Sequence, residues 1–249
     1  MRLKTLIGGV ALLLAARAGA QQTQIDLTPH MNDAITTYCC DASQYPTSGS
    51  LTNLGVTFSM ASVPTLGAPF DAWRGDLAVN RTFDLLIGMT GITNVYTIMD
   101  TRFGNRGDPN DPNTAQASLT FNYFGGGSVT QYLYGCFNTR DHNPYGYSAG
   151  CWAHNTAAPT GSNAQQFASF GSNEPVVFDM QTWDLSAYSS QLLTSITFTD
   201  NGPGVNSAFL RAVTVDATVT ATPEPATLVL MATGLLAVGG IARRKRLSA

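Results

Sequence analysis

Charged residues are scarce in this chain, and lysine is confined to its two ends. Only 12% of the 249 residues are charged, against about 25% in an average globular protein. Residues 21–222 contain 6 Arg, no Lys and 15 acidic residues, which gives a net charge of −9. The flanks, residues 1–20 and 223–249, each carry a net charge of +3. This low charge is atypical of a cytosolic enzyme, and the acidic middle lacks the basic stripe that nucleic-acid binding needs.

The N-terminus has the pattern of a cleaved signal peptide. A basic start precedes an uncharged apolar run over residues 6–16, and a run of about 11 residues is too short for a permanent membrane span. Ala18 and Ala20 place small side chains at the two positions that signal peptidase reads. We therefore predict that residues 1–20 are removed by signal peptidase and that the mature protein starts at Gln21.

A second apolar segment, residues 226–242, lies near the C-terminus and contains no charge. As a helix it would be about 26 Å long, which snorkelling cations and local bilayer thinning adapt to a membrane. The positive-inside rule places the basic cluster that follows in the cytoplasm and the preceding chain outside. The flanking residues of this predicted transmembrane helix are Pro223, Glu224 and Pro225 before it, and Arg243, Arg244, Lys245 and Arg246 after it.

This order of Pro-Glu-Pro, short apolar helix and terminal basic cluster closely resembles the PEP-CTERM sorting signal of Gram-negative bacteria. The same tail is also catalogued as the ice-binding protein C-terminal domain, a label that describes the tail and implies no ice binding here. The resemblance covers residues 222–249. It implies a precursor anchored in the inner membrane, recognition by an exosortase, and delivery to the cell surface or an exopolysaccharide matrix.

The middle segment, residues 21–221, has the pattern of one β-rich domain. Residues 117–123 alternate apolar and polar side chains, and a Gly-Gly-Gly turn separates them from a partner strand over 129–134. Residues 209–219 place valines on one face and polar residues such as Thr214 on the other. Further strands are predicted over 55–60, 83–87, 93–100, 176–183 and 194–199. About eight strands with long Gly-, Pro- and Asn-rich loops predict a mostly β fold, a jelly-roll-like β-sandwich ectodomain.

Three short segments of this domain are similar to bacterial galactose-binding-like sandwich domains. They are Val95–Ile98, Arg140–Asn143 and Ile196–Asp200. The resemblance implies a β-sandwich fold.

Export would place the four cysteines in an oxidising compartment, where disulfides persist. Cys136 and Cys151 flank a polar loop, and a disulfide between them would stabilise the fold by about 3 kcal/mol. Cys39 and Cys40 would then form a vicinal pair or stay as free thiols. Cross-pairing of these two with Cys136 and Cys151 is the alternative.

The Cys-bounded loop also contains a Gly-x-Ser-x-Gly sequence centred on Ser148. That nucleophile elbow works on a strand-turn-helix and needs a histidine later in the chain. Here a loop follows, and no histidine lies beyond His154. We therefore predict a protein that is not an enzyme, with a secreted hydrolase acting on polysaccharide or ester as the alternative.

An acidic, amide-rich loop offers the ligand types that calcium prefers, namely carboxylate and carbonyl oxygens. The candidate calcium ligands are Asp108, Asn110, Asp111 and Asn113. The same residues also favour turns without any ion. A structural calcium is the one cofactor that the sequence suggests.

Aromatic side chains in predicted loops provide candidate platforms for stacking sugars. The glycan-binding candidates are Trp73, Tyr145, Tyr147 and Trp152. We predict an exported surface or matrix protein whose β-sandwich is structural or binds glycan, with exopolysaccharide as its partner.

Overall fold

The computed structural model describes residues 20–34, 49–60, 70–102, 106–141, 159–170, 176–202 and 206–218. The chain divides into a compact unit of Ala20–Thr218 and a second unit of residues 1–19 and 219–249, of which the second lies outside the described residues. The described part is mostly β, as predicted. Its strands are β1 Ala20–Ile25, β2 Gly49–Asn53, β3 Val56–Met60, β4 Trp73–Arg74, β5 Thr82–Met89, β6 Ile92–Arg102, β7 Ala117–Tyr123, β8 Ser128–Leu133, β9 Ala164–Phe170, β10 Val176–Asp184, β11 Leu193–Asp200 and β12 Ser207–Thr218. Single 3-10 turns occupy Thr28–His30, Gly75–Leu77, Val79–Arg81, Pro112–Thr114 and Ser186–Tyr188.

The strands form two main antiparallel sheets. The large sheet has the order β1-β12-β6-β10-β9, with the short β4 also paired to β12. The small sheet has the order β5-β11-β7-β8, and β2 and β3 form a separate hairpin. The two main sheets are consistent with a β-sandwich.

The main core lies between these sheets. In β7 the side chains alternate in burial, so that Leu119 and Phe121 are fully buried while Thr120 is partly exposed. Across from them the core receives Val95 of β6 and Val215 of β12. Because burying one such side chain contributes about 1.5–3 kcal/mol, the alternation observed in the sequence is the pattern that holds the two sheets together.

A third layer covers the outer face of the large sheet, which the two-sheet prediction did not include. Phe58 of the β2–β3 hairpin is fully buried in a second apolar cluster with Phe167, Phe178 and others. Thr214 lies on the polar face of β12, as the sequence pattern indicates, but it is 0% exposed. Its hydroxyl donates to the backbone carbonyl of Thr57, 2.7 Å away, so the hairpin both covers this residue and satisfies its hydrogen bond.

The predicted hairpin between β7 and β8 is confirmed. Asn122 pairs with Ser128, and the connection contains Gly125 and Gly126 with φ of 93° and 91°. Only glycine adopts such values without a steric penalty. The Gly-Gly-Gly turn therefore sets the pairing of β7 with β8, which determines which of their side chains lie on the outer face of the small sheet.

Candidate functional site

The outer face of the small sheet is a nearly uncharged array of hydroxyl and amide side chains. Strand register places its members in three rows across the four strands. The rows are Thr82, Thr199, Ser118 and Tyr132; Asp84, Thr197, Thr120 and Thr130; and Leu86, Ser195, Asn122 and Ser128. Asp84 is the one charged member among these twelve residues, and none of them carries a positive charge.

Hydrogen bonds between neighbouring strands hold this face in one arrangement. The hydroxyl oxygens of Thr120 and Thr130 are 2.9 Å apart. The Nδ2 of Asn122 donates to the hydroxyl of Thr197 at 2.9 Å, and that hydroxyl donates to the carboxylate of Asp84. Such cross-strand polar pairs contribute about 0.2–1 kcal/mol each, so the array is ordered before any ligand arrives.

One part of this face contains an open groove of about 450 Å³. This volume falls within the usual range for ligand sites in proteins, roughly 300–1,000 Å³. The lining residues are Pro112, Asn113, Ser118, Thr130, Tyr132 and Asn201. We call this set the Tyr132 groove; all six residues are uncharged, and five have a side chain that forms hydrogen bonds.

The wall of the Tyr132 groove is a loop built on two successive Asx turns. One carboxylate oxygen of Asp108 accepts from the backbone and side-chain amides of Asn110, at 2.9 and 3.0 Å. One carboxylate oxygen of Asp111 accepts from the backbone and side-chain amides of Asn113, at 3.0 and 2.9 Å. The hydroxyl of Thr114 donates to the carbonyl of Asp111 at 2.8 Å. These bonds orient Asn113 at the edge of the groove.

The four predicted calcium ligands therefore lie together in this loop, with one oxygen of each carboxylate engaged by amide donors. Among the described residues, no group of three or more His, Cys, Asp or Glu is arranged to hold a metal ion. Calcium binding through the remaining carboxylate and amide oxygens stays a prediction.

Backbone hydrogen bonds hold the segments on both sides of the groove. The amide of Gly107 donates to the carbonyl of Gly135 at 3.1 Å, and a Cβ at Gly107 would meet the Cβ of Tyr134 at 2.9 Å. Burial, followed by the neighbouring Tyr132 and the carboxylates of the loop, raises the pKa of Tyr134 above its usual value. On the other side, the amide of Asn201 donates to the carbonyl of Gln116 at 2.9 Å. Backbone hydrogen bonds and close packing therefore determine the shape of the groove.

Trp73 is not a platform for sugar stacking, and the prediction that it is an exposed loop residue is wrong. It lies in β4, paired with Leu210 of β12, and is only 2% exposed. Its ring centroid is 5.0 Å from that of Phe83 in the main core. Sequence reasoning placed it in a loop because a two-residue strand leaves no periodic pattern to detect.

The other predicted glycan-binding aromatics, Tyr145, Tyr147 and Trp152, lie outside the described residues, as do Ser148 and His154. Tyr132, the aromatic residue of the groove, was not among the predicted site residues. A signal for it was present, because it occupies an outward position of the predicted strand 129–134.

Ion pairs within the fold engage several arginines of the middle segment. The pairs are Arg74 with Asp33 at 2.8 Å, Arg81 with Asp200 at 2.6 Å, Arg140 with Asp179 at 2.5 Å, and Arg211 with Asp71 at 3.4 Å. The guanidinium groups of three of them are nearly inaccessible, whereas the Arg81 side chain is 30% exposed. Three arginines are therefore withdrawn from the surface, whereas Arg102 is half-buried and Arg106 is the exposed arginine of the groove loop.

Cys136 is disulfide-bonded. Because Cys39, Cys40 and Cys151 lie outside the described residues, its pairing with Cys151 stays a prediction.

The predicted signal cleavage site falls at the start of β1, where Ala20 pairs with Thr218 at the end of β12. The mature chain would then begin at Gln21, inside that strand.

The C-terminal segment is the part of the chain that comparison with known proteins identifies. Residues 221–246 match the PEP-CTERM protein-sorting motif. This match supports an exported protein that carries a membrane-anchored C-terminal sorting signal, is processed by an exosortase and is directed toward the cell surface. No curated protein and no solved structure matches the chain, so the resemblance to galactose-binding-like domains stays a prediction.

Within the described residues, no helix is long and apolar enough to cross a membrane. The predicted transmembrane helix 226–242 lies outside them, together with the Pro-Glu-Pro sequence and the basic cluster.

Proposed function

We propose that the β-sandwich is a non-catalytic polysaccharide-binding domain and that the Tyr132 groove is its binding site. The observation that carries this proposal is an open groove lined by hydroxyl groups, amides and one tyrosine, on the ordered polar face of a sheet. The sorting motif supports the setting, because it directs the protein toward the cell surface.

The side chains of the groove suit a sugar by their hydrogen-bonding capacity. Hydroxyl and amide groups each donate and accept, as sugar hydroxyls do. Asn113 and Asn201 stand on the walls and Ser118 and Thr130 on the floor. Tyr132 adds an aromatic ring, which supplies contact area to the apolar face of a sugar at little conformational cost.

The proposed route of export and processing follows from the signals at the two ends of the chain. Signal peptidase removes residues 1–20, the precursor stays anchored in the inner membrane with its C-terminus in the cytoplasm, and exosortase releases it at the Pro-Glu-Pro sequence. The exported domain then binds exopolysaccharide at the cell surface or in the matrix.

Replacing Pro223, Glu224 and Pro225 by alanine tests the sorting step. The precursor should accumulate in the inner membrane at its unprocessed size, because the apolar helix still inserts while the processing site is gone. Immunoblotting of membrane and surface fractions measures this. Surface protein of processed size from the variant would contradict the proposal.

Tyr132→Ala tests the binding site. Truncation of a central aromatic anchor commonly costs 2 kcal/mol or more, so affinity of the exported protein for the exopolysaccharide of its host should fall by about 30-fold. Tyr132→Phe keeps the ring and should bind within about threefold of the original chain. Affinity electrophoresis of the purified, mature exported proteins provides the comparison.

Phe124→Ala is the matched control. Phe124 is 78% exposed at the β7–β8 turn and does not line the groove, so its loss should leave binding unchanged. Equal binding by Tyr132→Ala and the original chain, or an equal loss in Phe124→Ala, would refute the groove as the site.

A further inference from the structure

The Tyr132 groove has a charge pattern that bears on which polysaccharides it accepts. All six lining residues are uncharged. The loop that forms its wall carries Asp108 and Asp111, and Asp111 directly precedes Pro112 and Asn113 of the lining. The adjoining sheet face contributes Asp84 and no cation. The carboxylates of the wall loop are therefore the ones beside the groove, whereas Asp84 lies on β5, three strands across the sheet from β8.

The cations of the domain offer little to balance these carboxylates. Arg81 and Arg140, for example, donate to Asp200 and Asp179 within the fold. Arg106 is exposed at the start of the groove loop, but it does not line the groove, and the two carboxylates of that loop outnumber it.

Anionic and neutral sugars make different demands on such a site. A uronate carboxylate or a sulfate accepts hydrogen bonds only, and it binds well where cations or several fixed donors meet it. Near carboxylates it is repelled, and this repulsion weakens as salt screens it. The hydroxyl groups of a neutral sugar both donate and accept, so they match Asn113, Asn201, Ser118 and Thr130.

Resting on the proposed function, we infer that the Tyr132 groove is selective for neutral polysaccharide and excludes chains that carry uronate or sulfate groups. The carboxylates of the wall cause this selectivity, since they repel anionic polysaccharide while the uncharged lining binds neutral polysaccharide. This is specificity by a repulsive group beside the site, a common device in protein recognition.

The experiment measures retardation of the mature exported protein in gels that contain a polysaccharide. The neutral probes are dextran, hydroxyethyl cellulose and galactomannan, and the anionic probes are alginate and polygalacturonate. At an ionic strength of about 0.02 M, we expect at least one neutral probe to bind in a Tyr132-dependent way and at least about tenfold more tightly than either anionic probe.

A variant with Asp108→Asn and Asp111→Asn isolates the charge. Asparagine also forms Asx turns, so the loop keeps its capping bonds while it loses two negative charges. Binding of the anionic probes should rise by about fivefold or more, and binding of the neutral probes should stay within about twofold. Arg106→Gln should leave binding of the neutral probes unchanged.

The outcomes separate this inference from the proposed function. Tyr132-dependent binding of an anionic probe as tight as that of the neutral probes would overturn the selectivity and leave the groove as a polysaccharide site. An absence of binding to every probe and to the exopolysaccharide of the host would overturn the proposed function itself. Unchanged exclusion of anionic probes in the double variant would show that these carboxylates are not the selective element.

Discussion

The buried ion pair between Arg140 and Asp179 allows a quantitative test of the fold that supports the groove. The side chains are 1% and 0% exposed. The Nε of Arg140 donates to Oδ2 of Asp179 at 2.8 Å, and Nη2 donates to Oδ1 at 2.5 Å. Arg140 ends the segment that follows β8, and its carbonyl accepts the amide of Thr101 in β6 at 2.8 Å. The pair therefore joins the chain beyond β8 to the large sheet.

Asp179→Leu should destabilise the protein by about 3–5 kcal/mol, because it leaves the Arg140 charge buried without its carboxylate. For a chain of this size, that loss corresponds to a fall in Tm of about 6–20 °C. The double variant Arg140→Met with Asp179→Leu removes both charges and should be at least about 2 kcal/mol more stable than Asp179→Leu alone. Urea denaturation followed by circular dichroism gives these values.

Arg140→Met adds a dependence on pH. Burial raises the pKa of Asp179, and hydrogen bonds from Arg140 oppose that rise. Without the arginine, the folded-state pKa should rise further above the unfolded value. A raised folded-state pKa means that the folded state binds more protons, so the variant should be least destabilised near pH 4 and lose stability toward pH 7. A cost for Asp179→Leu below about 1 kcal/mol, or a pH-independent loss in Arg140→Met, would refute this reasoning.

Three further predictions concern the disulfide, a strained turn and the groove loop. Peptide mapping without reduction should link Cys136 to Cys151, and a link to either of the adjacent N-terminal cysteines would contradict this pairing. Leu54→Asn should raise stability by about 1 kcal/mol, because Leu54 has a φ of 54° and is 49% exposed in the β2–β3 turn; a loss in urea denaturation would contradict the strain. Asp111→Ala should lower the free energy of unfolding by about 1 kcal/mol, because the hydrogen bonds of its turn are lost. For a calcium site in the same loop, calcium should raise the Tm of the original chain, and magnesium at equal ionic strength should not.

The sequence predicts those strands in which burial follows from the local alternation of apolar and polar residues. Residues 117–123 form β7 with the predicted alternation, since one face meets the core and the other meets solvent. The burial of Thr214 was not predictable in this way. It depends on the β2–β3 hairpin, which comes from more than 150 residues earlier in the chain, and such long-range covering leaves no local pattern in β12.

The candidate site was predicted in part, for a similar reason. The Asx-turn loop around Asp108 and Asp111 is local, so its composition revealed it. The Tyr132 groove depends on register between strands and on the position of Asn201 after β11, which the sequence does not encode locally. Trp73 shows the opposite error, because an aromatic residue in a segment with charged residues on both sides, Asp71 and Arg74, proved to be part of the core.

The most direct test of the central claim is to map where polysaccharide contacts the exported protein. Amide NMR shifts of the isotope-labelled, mature exported chain, recorded with fragments of the host exopolysaccharide, would locate the site. We expect the largest shifts at Asn113, Ser118, Thr130, Tyr132 and Asn201, and their loss in Tyr132→Ala. Shifts confined to other surfaces, or none at saturating fragment, would contradict a binding site in the groove.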